Sequence, residues 1–295
     1  MSCILLTGGA GYIGSHTAAL LADESIEFHI IDNFINSKKS VIERLEKITN
    51  KKISFSICDI RNTDNLIKVI KKFKITSVIH FAALKSIENS IINPIEYFDV
   101  NVSGTLSLLK AMKKTGLKNL LFSSSATVYG IPEYLPLDEK HPVNAINPYG
   151  QTKLMVEKIL NDICYSESGW SITCLRYFNP VGSHPLFLIG DDPTIDMPKN
   201  IMPSIIKVVN GLKEYIEIFG NDYDTPDGTG VRDYIHIMDL AIAHIKALKF
   251  LEKSKGINIL NIGTGKGFSV LDLIQTFEKV TGMKVKKNFV SRRKG

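Results

Sequence analysis

The chain has 295 residues, of which 44% are hydrophobic and 22% are charged, close to ordinary globular usage. This composition excludes a disordered or fibrous protein, and no apolar run approaches the roughly 18 residues of a membrane-spanning helix. The net charge of +6 is concentrated in residues 284–295, which hold six basic side chains and no acidic one. The rest of the chain is balanced, so a generally basic protein is not indicated. The length predicts two domains or one elaborate α/β unit.

The cysteines, the histidines and the chain start bear on location and partners. The first residues carry no basic leader and reach a glycine-rich turn too soon for a signal peptide. The four cysteines lack paired spacing, so we expect reduced thiols in a cytoplasmic protein. The histidines are scattered and predict no metal site. The basic tail lacks interleaved aromatic side chains apart from Phe289, so a nucleic-acid partner is not expected. The absence of a long apolar run predicts no membrane partner.

The first half of the chain alternates short β-rich runs with helical patterns. Strands are predicted at 3–6, 28–31, 53–56, 77–81, 120–123 and 172–175, and helices at 12–22, 41–49, 64–73, 95–115 and 150–165. Alternation of this kind requires right-handed crossovers between parallel strands. It therefore predicts an α/β fold in which residues 1–180 form a Rossmann-type, doubly wound parallel sheet.

The second half begins with a loop at 181–200 that is rich in glycine and proline. Helices are predicted at 202–210, 240–251 and 270–281, and strands at 216–219, 257–261 and 284–289. The stretch 221–232 reads as polar turns. We expect residues 181–295 to form a smaller α/β substrate domain.

A glycine-rich turn follows the first strand directly. In residues 7–14 (TGGAGYIG), Gly8, Gly11 and Gly14 fit the spacing that lets a backbone approach a pyrophosphate at a helix N-terminus. Asp32 ends the second predicted strand, where a carboxylate can bind an adenosine ribose. Its charge favours NAD over NADP, although Lys38 and Lys39 lie nearby. A purely structural turn is the alternative.

A second constellation joins Tyr149 and Lys153 to the serines that end the fifth strand. The two residues are four apart on one face of a helix that Asn147 is expected to cap. A free tyrosine has a pKa of about 10, so a tyrosine base needs a neighbouring cation. Ser125 is the preferred third member, although spacing does not separate it from Ser123 and Ser124. The alternative interpretation is an exposed aromatic beside a solvated lysine.

These motifs together resemble the extended short-chain dehydrogenase/reductases, and among them the nucleotide-sugar epimerases. The similarity extends over both halves of the chain, through segments 7–14 (TGGAGYIG), 122–130 (FSSSATVYG), 149–153 (YGQTK), 32–37 (DNFINS), 81–85 (FAALK), 176–180 (RYFNP), 219–223 (FGNDY) and 228–236 (GTGVRDYIH). The resemblance implies an NAD-dependent enzyme that inverts C4 of a UDP-hexose through a transient 4-keto sugar. It also implies a homodimer formed through the helices near 95–115 and 150–165.

The resemblance assigns roles residue by residue. The implied catalytic residues are Tyr149, Lys153 and Ser125. The implied NAD contacts are Gly8, Gly11, Tyr12, Ile13, Gly14, Asp32, Asn33, Asn36, Ser37, Asp59, Ile60, Phe81, Ala82, Lys85, Asn101, Lys153 and Phe178. The implied contacts to the UDP-sugar are Ser125, Tyr149, Asn179, Asn200, Ile201, Ile218, Phe219, Arg232 and Arg293. Several of these have structural alternatives: Asp59 as a turn cap, Phe81 and Phe178 as core, and Arg232 paired with Asp233.

Two departures from the family pattern and two competing functions stay open. Residues 186–188 and 194–199 differ from the family, and relatives are expected to continue for several tens of residues beyond Gly295, which would leave the second domain unfinished. A nucleotide-sugar 4,6-dehydratase would need an acid/base pair beside the strand-end hydroxyl, where Ala126 and Thr127 stand. A non-catalytic NAD-binding protein is the second alternative.

Overall fold

A computed structural model of the chain describes residues 3–194 and 200–292. The strands are β1 Cys3–Thr7, β2 Glu27–Asp32, β3 Phe55–Ile57, β4 Ile75–His80, β5 Asn119–Ser125, β6 Ser171–Tyr177, β7 Asn179–Val181, β8 Ile216–Phe219, β9 Val231–His236, β10 Gly256–Ile262, β11 Gly267–Ser269 and β12 Lys287–Val290. The helices are α1 Tyr12–Asp23, α2 Ser40–Thr49, α3 Thr63–Lys72, α4 Ile87–Ile92, α5 Pro94–Phe98, α6 Gly104–Thr115, α7 Pro148–Ser166, α8 Ile201–Val209, α9 Ile237–Leu251 and α10 Val270–Thr281.

The large sheet has seven parallel strands in the order β10-β6-β5-β4-β1-β2-β3. Strand order reverses between β1 and β4, and a crevice opens at the carboxyl ends of strands at such a point. The central strands β1, β4, β5 and β6 are buried on both faces because helices cover them, which explains their continuous apolar runs. The Rossmann-type α/β prediction is confirmed.

Two apolar layers sandwich this sheet. On one face, α1, α2 and α9 pack around Leu6, Ile30 and Ile237. On the other face, α3, α6 and α7 pack around Leu5, Leu108 and the single tryptophan, Trp170. A separate cluster in the smaller lobe joins α8, β8, α10 and β12. The site therefore rests on a rigid sheet, with a smaller lobe beside it.

The chain returns to the large sheet after leaving it, which corrects the single boundary at 180/181. Strand β10 pairs in parallel with β6, and α9 packs against α1, so both elements belong to the first lobe. The smaller lobe contains the pair β8–β12 and the three-stranded sheet β11-β9-β7. Sequence periodicity did not reveal this return, because strand partners are set by tertiary packing.

Several elements differ from the sequence prediction. Strands β7 and β11 have only three residues each, and β9 follows polar turns, so all three lacked a clear alternating pattern. The predicted helix 95–115 is broken by a π-helical segment, Asp99–Ser103, between α5 and α6. Helix α4 was not predicted. Within the described residues, no helix is both long and apolar enough to cross a bilayer.

Candidate active site

The glycine-rich turn lies at the carboxyl end of β1, beside the switch point of the sheet. Gly8 has a φ of 67°, and a Cβ there would lie 2.7 Å from the backbone N of Ala82. A Cβ on Gly14 would lie 2.6 Å from the carbonyl oxygen of Gly8. Gly11 begins α1 without a side-chain cap, so the first N–H groups of the helix face the crevice unshielded. This turn has the geometry of a pyrophosphate cradle.

Asp32 ends β2 with a buried carboxylate that organises the adjacent loops. It accepts hydrogen bonds from the N–H of Ala10 at 3.0 Å, the N–H of Phe34 at 2.8 Å and the hydroxyl of Ser37 at 3.0 Å. Burial raises the pKa of this carboxyl, and the three bonds oppose that shift. The charge of Lys38 could have favoured NADP, but its side chain pairs with Asp192 at 2.8 Å. The carboxylate and the paired lysine both disfavour a 2′-phosphate at this position.

The other residues predicted to contact NAD divide into cavity walls and supports. The cavity walls include Gly8, Gly11, Tyr12, Ile13, Gly14, Asp32, Asn33, Asn36, Ser37, Ile60, Phe81, Ala82, Lys85, Lys153 and Phe178. Asp59 instead turns toward Arg61, which holds the pKa of that carboxyl at about 2. Asn101 is buried and clamps the backbone of Leu84, accepting from its N–H at 2.8 Å and donating to its carbonyl at 3.0 Å.

The catalytic candidates meet where β5 ends against α7. Asn147 caps α7 by accepting the N–H of Gly150 at 2.8 Å, which confirms the predicted cap. Tyr149 and Lys153 then lie one turn apart, and the ammonium Nζ of Lys153 is 5.9 Å from the centre of the Tyr149 ring. Lys153 donates to the carbonyl of Ser123 at 2.7 Å. Among the three serines, Ser125 is the one whose side chain lowers the pKa of Tyr149, so the structure favours Ser125.

Burial is the largest influence on the pKa values of Tyr149 and Lys153. Burial raises the pKa of Tyr149 to about 12, and the Ser125 side chain only partly offsets that rise. Burial lowers the pKa of Lys153 to about 7, against the influence of Glu157. The tyrosine pKa near 7 that catalysis requires is therefore absent in the protein alone. An added positive charge beside Tyr149 would lower its pKa.

The residues predicted to contact the UDP-sugar are only partly brought together. Asn179, Asn200 and Arg232 line the same cavity as the glycine turn and Tyr149. Arg232 is exposed and free of Asp233, because that carboxylate accepts bonds from Thr264 and Gly265 instead. The surface pair considered for Arg232 is therefore not formed.

The remaining substrate candidates lie elsewhere. The side chain of Ile218 is in the core of the smaller lobe, 2% exposed, and does not line the cavity, contrary to a side-chain contact. Ile201 and Phe219 are half-buried outside the cavity walls. Arg293 lies outside the described residues. Successive side chains of a strand point to opposite faces. The Ile218 side chain is therefore buried on the face opposite to that of its neighbours.

The whole cavity measures about 1420 Å³ and extends from the glycine turn to Arg232. This volume exceeds the ordinary range for one small ligand and can hold two nucleotides side by side. Sequence reasoning missed Asp191 and Asp192, which hold the cavity edge to Lys85 and Lys38. It also missed Tyr223, a wall residue on which Arg292 stacks at 4.2 Å. Within the described residues, no cluster of ligating side chains could hold a metal ion.

Comparison with known proteins gives a consistent result. The family model for the NAD dependent epimerase/dehydratase family matches residues 4–263. The chain is 48% identical to the UDP-glucose 4-epimerase of Bacillus subtilis, over 99% of this chain and 86% of that relative. It is 46% identical to the human UDP-glucose 4-epimerase, with the same two coverages.

Solved structures agree with these relatives. The UDP-glucose 4-epimerase of Stenotrophomonas maltophila, with bound NAD and formylated UDP-arabinopyranose, has a TM-score of 0.96 at 46% identity. The similarity covers all of this chain and 88% of that one. The enzyme of Bifidobacterium longum, in complex with NAD+ and UDP, also has a TM-score of 0.96, at 43% identity and with the same coverage.

Proposed function

Because the chain belongs to the NAD-dependent epimerase/dehydratase family, we propose that it interconverts UDP-glucose and UDP-galactose by inverting C4, with NAD as a resident cofactor. One observation carries this proposal: a single cavity joins the pyrophosphate cradle at Gly8–Gly14 to Tyr149, Ser125 and Arg232. Cofactor, base and an anion-binding arginine are thereby placed around one reacting centre.

The residues present fit NAD. The glycine turn leaves space that any Cβ would fill, and the unshielded N-terminus of α1 suits a pyrophosphate. The buried Asp32 carboxylate stands where a ribose hydroxyl would donate to it. When bound, NAD supplies a hydride acceptor that later returns the hydride, so the reaction has no net redox change.

The protein's own side chains supply proton transfer and binding. Tyr149 removes the proton of the sugar 4-hydroxyl, and Ser125, which lines the same cavity, can share a bond with the same oxygen. Lys153, in its cationic form, stabilises the tyrosinate electrostatically. Arg232, with Asn179 and Asn200, offers donors to the UDP pyrophosphate. Firm binding of the nucleotide with looser contacts to the hexose lets the sugar present either face.

The alternatives find less support at the same positions. A 4,6-dehydratase would need an acidic pair after Ser125, but Thr127 stands there and donates its hydroxyl to Ser125 at 2.9 Å. A non-catalytic NAD-binding protein has no need of a buried Lys153 beside Tyr149 and Ser125 in one cavity.

The test is a proton NMR assay of the anomeric signals of the sugar, which needs no coupling enzyme. We expect the purified full chain to carry NAD and to convert either UDP-hexose into a mixture of both. A folded, NAD-loaded protein that produces no second sugar signal would refute the epimerase proposal. Signals of a 4-keto-6-deoxy sugar would instead support the dehydratase.

We also infer a homodimer. Exposed apolar side chains line the α4–α5 region and α7, with Ile92, Ile95 and Tyr165 at 67%, 84% and 94% exposure. Burial of this surface against a second copy would stabilise a pair. Light scattering should show a dimer, and Ile95→Lys should yield monomers while Phe187→Lys, at another exposed apolar site, should not. A monomer at micromolar concentration would contradict the inference.

A cytoplasmic location is part of the proposal. All four cysteines are free thiols, as expected for a reducing compartment. Fractionation of the source cells, with the protein detected outside the soluble cytoplasmic fraction, would overturn it.

A further inference from the structure

Three successive residues at the end of β5 face α7. The Ser123 carbonyl accepts from Lys153 at 2.7 Å, the Ser124 hydroxyl donates to Glu157 at 2.5 Å, and the Ser125 side chain lowers the pKa of Tyr149. Tyr149, Lys153 and Glu157 are spaced four apart and share one face of α7. Glu157 thus extends the catalytic pair by one helical turn, and the mechanism above gives it no role.

The carboxylate of Glu157 is held from a third element. Arg176 on β6 donates to it twice, from Nε at 3.0 Å and from Nη2 at 2.7 Å. Arg176 also donates through Nη1 to the Tyr129 hydroxyl at 3.0 Å. Both charged side chains are 4% exposed, and a buried pair with two parallel hydrogen bonds is fixed in geometry. The carboxylate cannot swing away from Lys153 without breaking these bonds.

The other titratable groups around the Tyr149–Lys153 and Glu157–Arg176 pairs are neutral near pH 7. Burial lowers the pKa of His80 on β4 to about 3. It raises the pKa of Tyr149 itself and of the remaining groups: Tyr97 on α5, Tyr129 after β5, and Cys174 and Tyr177 on β6. Arg176 is cationic. Among these groups in the described part of the chain, Glu157 is the carboxylate that can oppose the loss of charge from Lys153.

We propose that Glu157 is a positioning residue for the reaction: its carboxylate, fixed by Arg176 and Ser124, favours the cationic form of Lys153 and locks the end of β5 against α7. The inference rests on the proposed function only for its kinetic consequence. Without a nearby negative charge, a lysine buried to this extent would lose its proton below neutral pH. A neutral lysine would no longer stabilise the tyrosinate.

The first readout is the pH profile of kcat. Removing the carboxylate charge lowers the pKa of Lys153. The loss of activity that accompanies a rise in pH should therefore begin at a lower pH. In Glu157→Gln we expect the alkaline limb to move down by about one unit or more, with NAD content unchanged. Glu157→Asp keeps the charge, so its limb should stay near the original position even where kcat falls. Asp162→Asn, an exposed carboxylate on the same helix, is the matched control and should move nothing.

The second readout needs no turnover. Lys153 lines the cavity, so a small reagent can reach it, and competitive acetylation read by mass spectrometry reports its pKa in the full chain. Glu157→Gln should lower this pKa by the same amount as the kinetic limb. A chain without epimerase activity that still shows the shift would refute the function and support this inference.

A double variant is the control in case Glu157→Gln does not fold. If Glu157→Gln leaves Arg176 unpaired and does not fold, Glu157→Gln with Arg176→Met removes both buried charges, which proteins tolerate better than one. A downward shift is again expected, smaller than in Glu157→Gln because the Arg176 cation, which disfavours a charge on Lys153, is removed as well. A Lys153 pKa that stays unchanged in the folded variant, or that moves equally in Glu157→Asp or Asp162→Asn, would overturn the proposal, because a purely structural role depends on shape rather than charge.

Discussion

At the scale of single residues, burial works against the chemistry proposed for Tyr149 and Lys153. It raises the pKa of Tyr149 to about 12 and lowers that of Lys153 to about 7, so near pH 7 Tyr149 is neutral and Lys153 divides between its charged and neutral forms. A dry site strengthens each charge that enters it. A cationic ligand beside Tyr149 would therefore lower the pKa of its hydroxyl strongly.

Replacement of Tyr149 by Phe tests this role. The variant removes the hydroxyl that moves the proton and leaves the ring in place, so we expect turnover to fall by about a hundred- to ten-thousandfold. NAD content and thermal stability should change little. Tyr165→Phe, on the exposed face of the same helix, is the matched control and should keep full turnover. Unchanged turnover in Tyr149→Phe would remove this residue from the mechanism.

Residues whose role depends on local spacing could be predicted from the sequence. Asp32 follows a strand and a glycine turn, and Tyr149 and Lys153 share a helical turn, so chain distance alone places them. Glu157 was missed because its partners, Ser124 and Arg176, come from other strands and no motif joins them. The buried position of the Ile218 side chain has a similar origin: which face of β8 is buried depends on the packing of the smaller lobe.

At the scale of elements, the turn between β1 and α1 is constrained by close backbone contacts. A Cβ on Gly14 would stand 2.6 Å from the Gly8 oxygen and 2.7 Å from the Gly9 Cα, and neither neighbour is a flexible side chain. The start of α1 is therefore fixed against the turn. That fixed distance lets the helix N-terminus and the glycine backbone face one anion together.

Gly14→Ala should push the N-terminus of α1 away from the backbone of the glycine turn. We expect a loss of about 1–3 kcal/mol in the free energy of unfolding, because the added methyl forces a backbone shift. NAD affinity should fall at least tenfold by titration calorimetry. Gly116→Ala is the control: it has a φ of 75° but no atom within 4 Å of an added Cβ. It should cost about 1 kcal/mol and leave NAD affinity unchanged. Equal affinities in both variants would contradict a cradle at this turn.

The elements of the first lobe could be predicted because buried parallel strands and amphipathic helices leave clear periodic patterns. Strand β1 and helix α1 were found within one residue of their ends. Strands β7 and β11 are too short to carry a pattern, and β9 alternates imperfectly between buried and exposed residues. The π-helical segment at Asp99–Ser103 keeps helical composition, so only hydrogen bonding distinguishes it.

At the scale of the whole molecule, the two lobes are tied together across the cavity edge. The segment 182–192 crosses from the end of β7 toward the first lobe. Its Gly182 carbonyl accepts from the Tyr12 hydroxyl at 2.7 Å, and its Leu188 carbonyl accepts from Arg44 at 3.4 Å. Farther along, Asp192 pairs with Lys38 and Asp191 with Lys85, at 2.8 and 3.4 Å. These contacts border the cavity that Asp32 also lines.

We call segment 182–192 the strap. Its contacts with the first lobe should slow the release of a bound dinucleotide. Lys38 and Asp192 are partly exposed, at 50% and 27%, so their ion pair contributes no more than about 1 kcal/mol, equivalent to roughly a fivefold change in rate. We expect Lys38→Ala to speed NAD release by up to about fivefold in a trapping experiment. High salt should speed release from the original chain and narrow this difference, because screening weakens exposed pairs.

The control for that experiment is an ion pair outside the cavity. Lys52 pairs with Glu46 at 3.0 Å beyond the end of α2, and Lys52→Ala removes the same charge from the protein without touching the strap. Its NAD release should match that of the original chain at every salt concentration. If Lys38→Ala and Lys52→Ala release NAD equally fast, net charge rather than the strap governs retention, and the firm hold on the cofactor must come from the glycine turn and Asp32 alone.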